Sequence, residues 1–348
     1  MMHRSQRQCQ FHRMLVIQTA FIGDLILTTP LLRAAKKSFP QISIECVVLP
    51  QTANLITNNP HVDHIIPYDK RRTESSLRDF LALVKTLRRR KYDAALIPHR
   101  SWRSASLVLL AGIPTRIGFD ASSASILYTH RVAYRKNFHE TERNLNLLSP
   151  FGVHAMDPAP EIFCTHTDEQ KALDFLTRHT DSDAQSLFGI AAGSVWPTKR
   201  WIPQRFAEVA DRLIKEKKGT VILFGGPEDR TLCNRISAMM DRTPLIAAGH
   251  FSLKESAALI AKCRVFLSND TGLMHLAAAM HVPVVALFGA TIPAFGFAPL
   301  GDGHTIVEAK LPCRPCGAHG TKKCREGTFA CMKMIRSQEV YEAVLKYV

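Results

Sequence analysis

Short apolar runs alternate with amphipathic stretches along most of the chain, a pattern that predicts strands followed by helices. In the first half, residues 14–18, 42–49 and 93–98 read as buried strands. Residues 53–57, 77–90 and 101–110 read as helices, and Pro30 ahead of the Leu31-Leu32-Ala35 face suits a first helical turn. A second series begins at 187–191, a strand, and continues with an amphipathic helix over 202–217 whose face is Phe206, Val209, Ala210 and Leu213. Residues 221–224 form the next strand, and Ser252-Leu253-Lys254-Glu255 is a capping box opening a helix that ends near Cys263. Between the two series lie a helix over about 168–178 and the polar stretch 180–186, which marks the domain boundary. The expected fold is α/β: two Rossmann-like, doubly wound parallel-sheet domains, 14–180 and 181–335, facing a cleft, with a last helix over 336–348.

Polar chemistry collects where strands end. In 265–291 an apolar strand, Val265-Phe266-Leu267, stops at Ser268-Asn269-Asp270-Thr271-Gly272. Leu273, Leu276, Ala277 and Met280 then recur at helical spacing, and Pro283 bars any continuation. The first N–H groups of a helix lack internal partners and carry partial positive charge, so Thr271 and Gly272 make a diphosphate seat. Asp270, at the carboxyl end of the strand, could accept hydrogen bonds from sugar hydroxyls, and His275 faces the same mouth one turn on. An ordinary crossover with Asp270 as helix cap fits the spacing equally well.

Two more strand-end loops belong to the same predicted sheet. Gly193-Ser194-Val195-Trp196-Pro197-Thr198-Lys199 places Lys199 to reach a phosphate, and Gly225-Gly226-Pro227-Glu228 places Glu228 near a ribose. Neither a Walker A sequence nor a G-x-G-x-x-G after the first strand is present, which weighs against P-loop hydrolases and ordinary dehydrogenases. Asp24, in the turn after the first strand, is the candidate acid/base, with a role as cap of the next helix equally open. Asp181-Ser182-Asp183 matches a metal-binding DxD formally but sits in a polar linker, so it reads as a loop. Cys313, Cys316, Cys324 and Cys331 have a spacing that can hold a structural zinc; four unlinked thiols are the alternative.

Composition narrows the class. The chain has 348 residues, 46% hydrophobic and 22% charged, as soluble globular proteins do, and no apolar run reaches the roughly 18 residues of a membrane span. Residues 1–13 form a basic arm, expected to be disordered, with Met14 as an alternative start. A formal charge of +15 favours anionic partners, yet no zinc-finger, RNP or basic-zipper pattern accompanies it, so nucleic acid is set aside.

Together these motifs resemble the lipopolysaccharide heptosyltransferases of glycosyltransferase family nine, enzymes of the two-Rossmann GT-B architecture. The carriers are Ile22-Gly23-Asp24 with Thr29-Pro30, Lys199-Arg200-Trp201, Phe224-Gly225-Gly226 and Asn269-Asp270-Thr271-Gly272-Leu273-Met274-His275. The Lys-Arg-Trp form is most similar to the second heptosyltransferase, whereas the loop around Trp196 differs in spacing and leaves the first open. The resemblance implies inverting, metal-independent transfer of L-glycero-D-manno-heptose from ADP-heptose to the heptosyl-Kdo2-lipid A core, with no cofactor. It implies Asp24 as base, Lys199 on the departing diphosphate, Asp270 on the heptose, and Thr271, Gly272 and His275 on phosphate. Gly193, Ser194, Gly226 and Glu228 complete the expected donor site, and Lys70, Arg71, Arg100 and Arg103 are candidates for the anionic acceptor. The expected location is cytoplasmic, peripheral to the inner membrane face. Another core glycosyltransferase or an epimerase of the same fold, or a non-catalytic nucleotide- or lipid-binding protein, are the alternatives.

Overall fold

The computed structural model describes residues 11–69, 76–179 and 186–348. Two six-stranded sheets, every pair parallel, carry the chain. The first contains β1 (Arg13–Gln18), β2 (Ser43–Val48), β3 (His64–Pro67), β4 (Ala94–Ile97), β5 (Thr115–Phe119) and β6 (His130–Val132), ordered β3-β2-β1-β4-β5-β6. The second contains β7 (Leu187–Ala191), β8 (Thr220–Phe224), β9 (Leu245–Ile246), β10 (Val265–Asn269), β11 (Val284–Phe288) and β12 (Thr305–Glu308), ordered β12-β11-β10-β7-β8-β9. Met14 pairs in register with Ile44 and with Ala94, and Leu267 with Ile190 and Val285. Central strands such as β1 and β10 read as unbroken apolar runs because both their faces are covered. Strand order reverses at β1/β4 and at β7/β10, so the loops leaving those strands border a crevice.

Helices flanking the sheets include α1 (Ile22–Ile26), α2 (Thr29–Ser38), α3 (Ser76–Arg90), α4 (Trp102–Leu110), α5 (Glu140–Asn146), α6 (His166–His179), α7 (Pro203–Lys217), α8 (Arg230–Ser237), α9 (Leu253–Ile260), α10 (Gly272–Ala279) and α11 (Ser337–Leu345). Helices α3 and α4 cover the face of the first sheet built from Leu15, Ile17, Ala95 and Ile97. On the opposite face, the core of Met14, Val16, Leu31 and Ile44 continues without a break to Phe266, Met274 and Leu276 of the second domain. The expected α7 face, Phe206, Val209, Ala210 and Leu213, is buried, and α11 closes back onto α7, where the Tyr341 hydroxyl donates to Glu216 Oε2 at 2.6 Å.

Several expectations need correction. Residues 1–10 of the arm lie outside the described residues. The rest of it is built in: Phe11 packs on Phe39 and Phe151, with ring centroids 5.9 and 4.9 Å apart, and β1 starts at Arg13. The predicted 53–57 helix is a turn at Pro50–Ala53 followed by a 3₁₀ turn at Asn54–Ile56. Strands β3, β5, β6, β9 and β12 escape the apolar pattern because they are short and partly exposed. Around the expected boundary, residues 180–185 lie outside the described ones, and α6 packs against α9, with Phe175 5.2 Å from Phe251. Among the described residues no helix is long and apolar enough to cross a membrane.

Candidate active site

Two helix N-termini meet where the sheets face each other. After β1 the chain turns directly into α1, so Asp24 lies inside a one-turn helix rather than in the predicted turn. Opposite it, β10 delivers Asp270 and Thr271 to the start of α10. The two helices touch through glycines: a Cβ on Gly272 would stand 2.9 Å from Ile22 Cβ, and one on Gly23 2.8 Å from His275 Cδ2. A larger residue at either position would require His275, Ile22 or the helices themselves to shift. The cleft above this contact encloses about 280 Å³ and is lined from the first domain by Phe21, Asp24 and Gln51, and from the second by Ser194, Lys199, Glu228, Asp270, Thr271 and His275.

Asp24 Oδ2 accepts the Phe21 N–H at 3.1 Å, so the carboxylate does brace its own helix start. Part of it stays open to the cleft. Burial raises its pKa above the ordinary carboxylate range, against the pull of the Phe21 N–H, the His319 ring and the Lys199 ammonium. A carboxyl in that state is suited to proton transfer.

Across the cleft, Lys199 Nζ lies 2.7 Å from Asp270 Oδ2, and the Thr291 hydroxyl donates to the same oxygen at 2.6 Å. Thr271 makes no side-chain capping bond. Asp270 is therefore committed to Lys199 and Thr291, which removes the reading of it as a mere helix cap. Buried Asn269 ties two loops together, accepting the Trp201 N–H on Oδ1 at 3.1 Å and donating from Nδ2 to Ala192 O at 2.7 Å. His275 is 4% exposed, its Nδ1 has no partner among the described residues, and burial pushes its pKa down to about 3. It is a neutral imidazole, a hydrogen-bonding group and not a cation.

Not every expected residue reaches the cleft. Gly193 and Gly226 stand behind its lining. Their missing Cβ atoms make room for carboxylates of the β8 loop: one on Gly193 would meet Asp229 Oδ1 at 2.2 Å, one on Gly226 Glu228 Oε2 at 2.5 Å. Exposed Arg100 lies over the Tyr134 ring, 4.1 Å from its centroid, and Arg103 borders a separate small cavity with Thr19 and Tyr68, so neither lines the cleft. Lys70, Arg71 and the Asp181-Ser182-Asp183 stretch lie outside the described residues.

Of the two readings of the cysteines, the structure gives the zinc no support. Among the described residues no three His, Cys, Asp or Glu side chains group to hold a metal ion, and all four thiols are free. Their settings differ: Cys313 is exposed, Cys324 Sγ accepts the Phe329 N–H at 3.4 Å, and Cys331 is buried in the second core. Their segment serves the site in another way. Arg314 binds the carbonyls of Phe288, Gly289, Thr291 and Ala309 and the Glu308 carboxylate, pinning the segment to the ends of β11 and β12. Thr198 and Thr321 exchange hydrogen bonds at 2.8 Å each, docking it on the Lys199 loop. His319 is thereby carried to the cleft, its ring 6.5 Å from that of Phe21. His319 and Thr291 line the cleft but were not legible as site residues. Only chain folding brings the His319 ring beside Phe21 and the Thr291 hydroxyl onto Asp270.

The glycosyltransferase family 9 (heptosyltransferase) model matches residues 80–326. Lipopolysaccharide heptosyltransferase 2 of Salmonella typhimurium is 30% identical over 81% of this chain and 84% of its own length. Lipopolysaccharide heptosyltransferase 1 of Pseudomonas aeruginosa is 28% identical over 87% and 86%. The solved structure of the E. coli ADP-heptose lipopolysaccharide heptosyltransferase II superposes with a TM-score of 0.79 at 26% identity, covering 96% of this chain and 98% of that one. The paired six-stranded parallel sheets and the cleft between them thus have their counterpart in sequence: the chain belongs to glycosyltransferase family 9, the heptosyltransferases, and is a glycosyltransferase enzyme of the GT-B fold.

Proposed function

We propose that this enzyme transfers L-glycero-D-manno-heptose from ADP-heptose to the heptosyl-Kdo2-lipid A inner core of lipopolysaccharide, at the cytoplasmic face of the membrane and without a metal ion. The observation that carries the reading is the opposition of one carboxylate, Asp24 on α1, to a cation, Lys199, held by Asp270 at the N-terminus of α10. In the step, an acceptor hydroxyl gives its proton to Asp24 and its oxygen bonds to the anomeric carbon. The bond from that carbon to the diphosphate oxygen breaks, ADP departs, and the anomeric centre inverts. The Lys199 ammonium and the first N–H groups of α10 stabilise charge growing on the diphosphate, the electrostatic task a divalent ion performs elsewhere. Neutral His275 hydrogen-bonds phosphate, Asp270 and Thr271 orient the heptose and diphosphate, and Glu228 at the mouth takes the ribose. Arg100 and Arg103 stay with the first domain as candidates for acceptor phosphates and carboxylates.

A coupled ADP-release assay in EDTA, with Kdo2-lipid A and its mono-heptosylated form offered separately, tests this. Release with the mono-heptosylated acceptor alone is expected. Release with the unheptosylated one assigns the enzyme to the preceding step. No release with either, or dependence on added metal, refutes the reading as stated.

A further inference from the structure

The outer side of α3 and α4 bears a surface that folding does not require. Six of the thirteen large apolar side chains exposed by the described residues fall here: Leu77 and Leu81 on α3, Trp102, Leu109 and Leu110 on α4, and Ile126 on the 3₁₀ turn Ser125–Leu127. They form one face, since α3 packs beside α4, the 3₁₀ turn packs against α4, and all three cover the same side of the first sheet. Exposure reaches 62% at Trp102, 70% at Leu77 and 83% at Ile126. The inner sides of both helices are already filled by Phe80, Leu83, Leu87, Ala105 and Val108, so the outer apolar residues have no core to serve.

Cations are interleaved with them. Arg78, Lys85, Arg88 and Arg89 stand exposed along α3. Residues 76–132 hold ten Lys and Arg against three Asp, so about half of the +15 formal charge sits in this segment. A partner must therefore accept bulky apolar side chains and positive charge over the same area. Anionic headgroups above acyl chains do both. Bases of a nucleic acid would ask for stacking aromatics, and Trp102 is the single aromatic among the six. The placement fits as well: four residues separate β4 from α4, at the carboxyl edge of the first sheet, the edge on which Asp24 stands.

We infer that the α3–α4 face docks the enzyme on an anionic phospholipid surface, with the cleft mouth turned to the bilayer. The inference deepens the function proposed above by placing a lipid-borne acceptor beside Asp24, but lipid binding is measurable without that function. The experiment is flotation with vesicles of equal parts phosphatidylcholine and phosphatidylglycerol, and with phosphatidylcholine alone. The full chain is expected to float with the mixed vesicles and not with the neutral ones. At roughly fivefold in partition per surface cation, Lys85→Glu with Arg89→Glu should lower binding more than tenfold. Leu81→Ser with Ile126→Ser should also weaken it, and both pairs should bind ADP as the parent does, since none of the four lines the cleft. No flotation of the parent overturns the inference, as does unchanged flotation of both pairs. Equal affinity for duplex DNA, lost in parallel with vesicle binding in the charge variant, overturns it in favour of a general polyanion surface. Flotation without heptose transfer to a deacylated acceptor sinks the functional reading and leaves this surface standing; transfer without flotation does the reverse.

Discussion

Asp24 and Lys199 stand on opposite walls of the cleft and divide the chemistry between the domains. Asp24→Asn keeps the shape and the bond from the Phe21 N–H but cannot take a proton. Transfer should fall by about 10²–10⁴ while ADP binding, by calorimetry, stays within a factor of about two. Near-parental turnover removes Asp24 from the mechanism. His275 makes a stability prediction. Its pKa is 6.5 when unfolded and about 3 when folded, so between those values the unfolded chain binds a proton that the native state refuses. Native stability therefore falls as pH drops through this window, by up to about 1.4 kcal/mol per pH unit from this group. His275→Gln should flatten the slope of unfolding free energy against pH by one proton over that range. An unchanged slope means the imidazole charges without cost. At this scale sequence motifs found Asp24, Lys199 and Asp270, because each sits in a strand-end loop or helix start where small and polar residues gather. They could not rank base against cap. For Asp270 the partners are Lys199 and Thr291 instead of its helix, whereas Asp24 also accepts the Phe21 N–H at its own helix start.

At the scale of elements, α1 and α10 form the floor of the site, and their closeness rests on Gly23 and Gly272. Gly272→Ala puts a methyl 2.9 Å from Ile22 Cβ and 3.3 Å from the Gly23 nitrogen. Overpacking of this kind costs about 1–3 kcal/mol, or it is relieved by parting the helices. Either a lower Tm or a several-fold higher KM for the donor is expected; parental values of both would show that the working enzyme does not keep this contact. The Cys-rich segment teaches the same lesson from the other side. Its spacing suggested a metal knuckle, yet what organises it is Arg314, whose five acceptors on β11, β12 and the loops after them no periodicity connects to it. The long apolar strands were legible because full burial writes itself as an unbroken run. Two-residue β9 and half-exposed β3 leave no such trace.

Across the whole molecule, the domains are joined by an apolar core and by buried cations, among them Arg143, which donates to Phe295 O at 2.8 Å, and Lys254. Lys254 on α9, 3% exposed, donates to Thr57 O at 3.2 Å and Asn58 Oδ1 at 3.1 Å in the first domain, and stands 3.4 Å from Asp168 Oδ2 on α6. Lys254→Met removes those bonds and leaves Asp168 with Thr165 alone. A loss of about 3 kcal/mol is expected, near the lower limit for breaking a buried ion pair, with a larger radius of gyration in small-angle scattering. An unaltered Tm and radius would show that the remaining contacts hold the domains without Lys254.

The chain by itself determined the α/β class, two successive strand–helix series, and the small and polar residues at their strand ends, because these follow from local period and from the chemistry of helix starts. Only the tertiary structure decided which loops meet. Asp24 and Asp270 are 246 residues apart, and Thr198 and Thr321 are 123 apart. Their neighbourhood depends on two sheets docking through glycine-faced helices, a contact governed by three-dimensional shape and not by any spacing along the sequence.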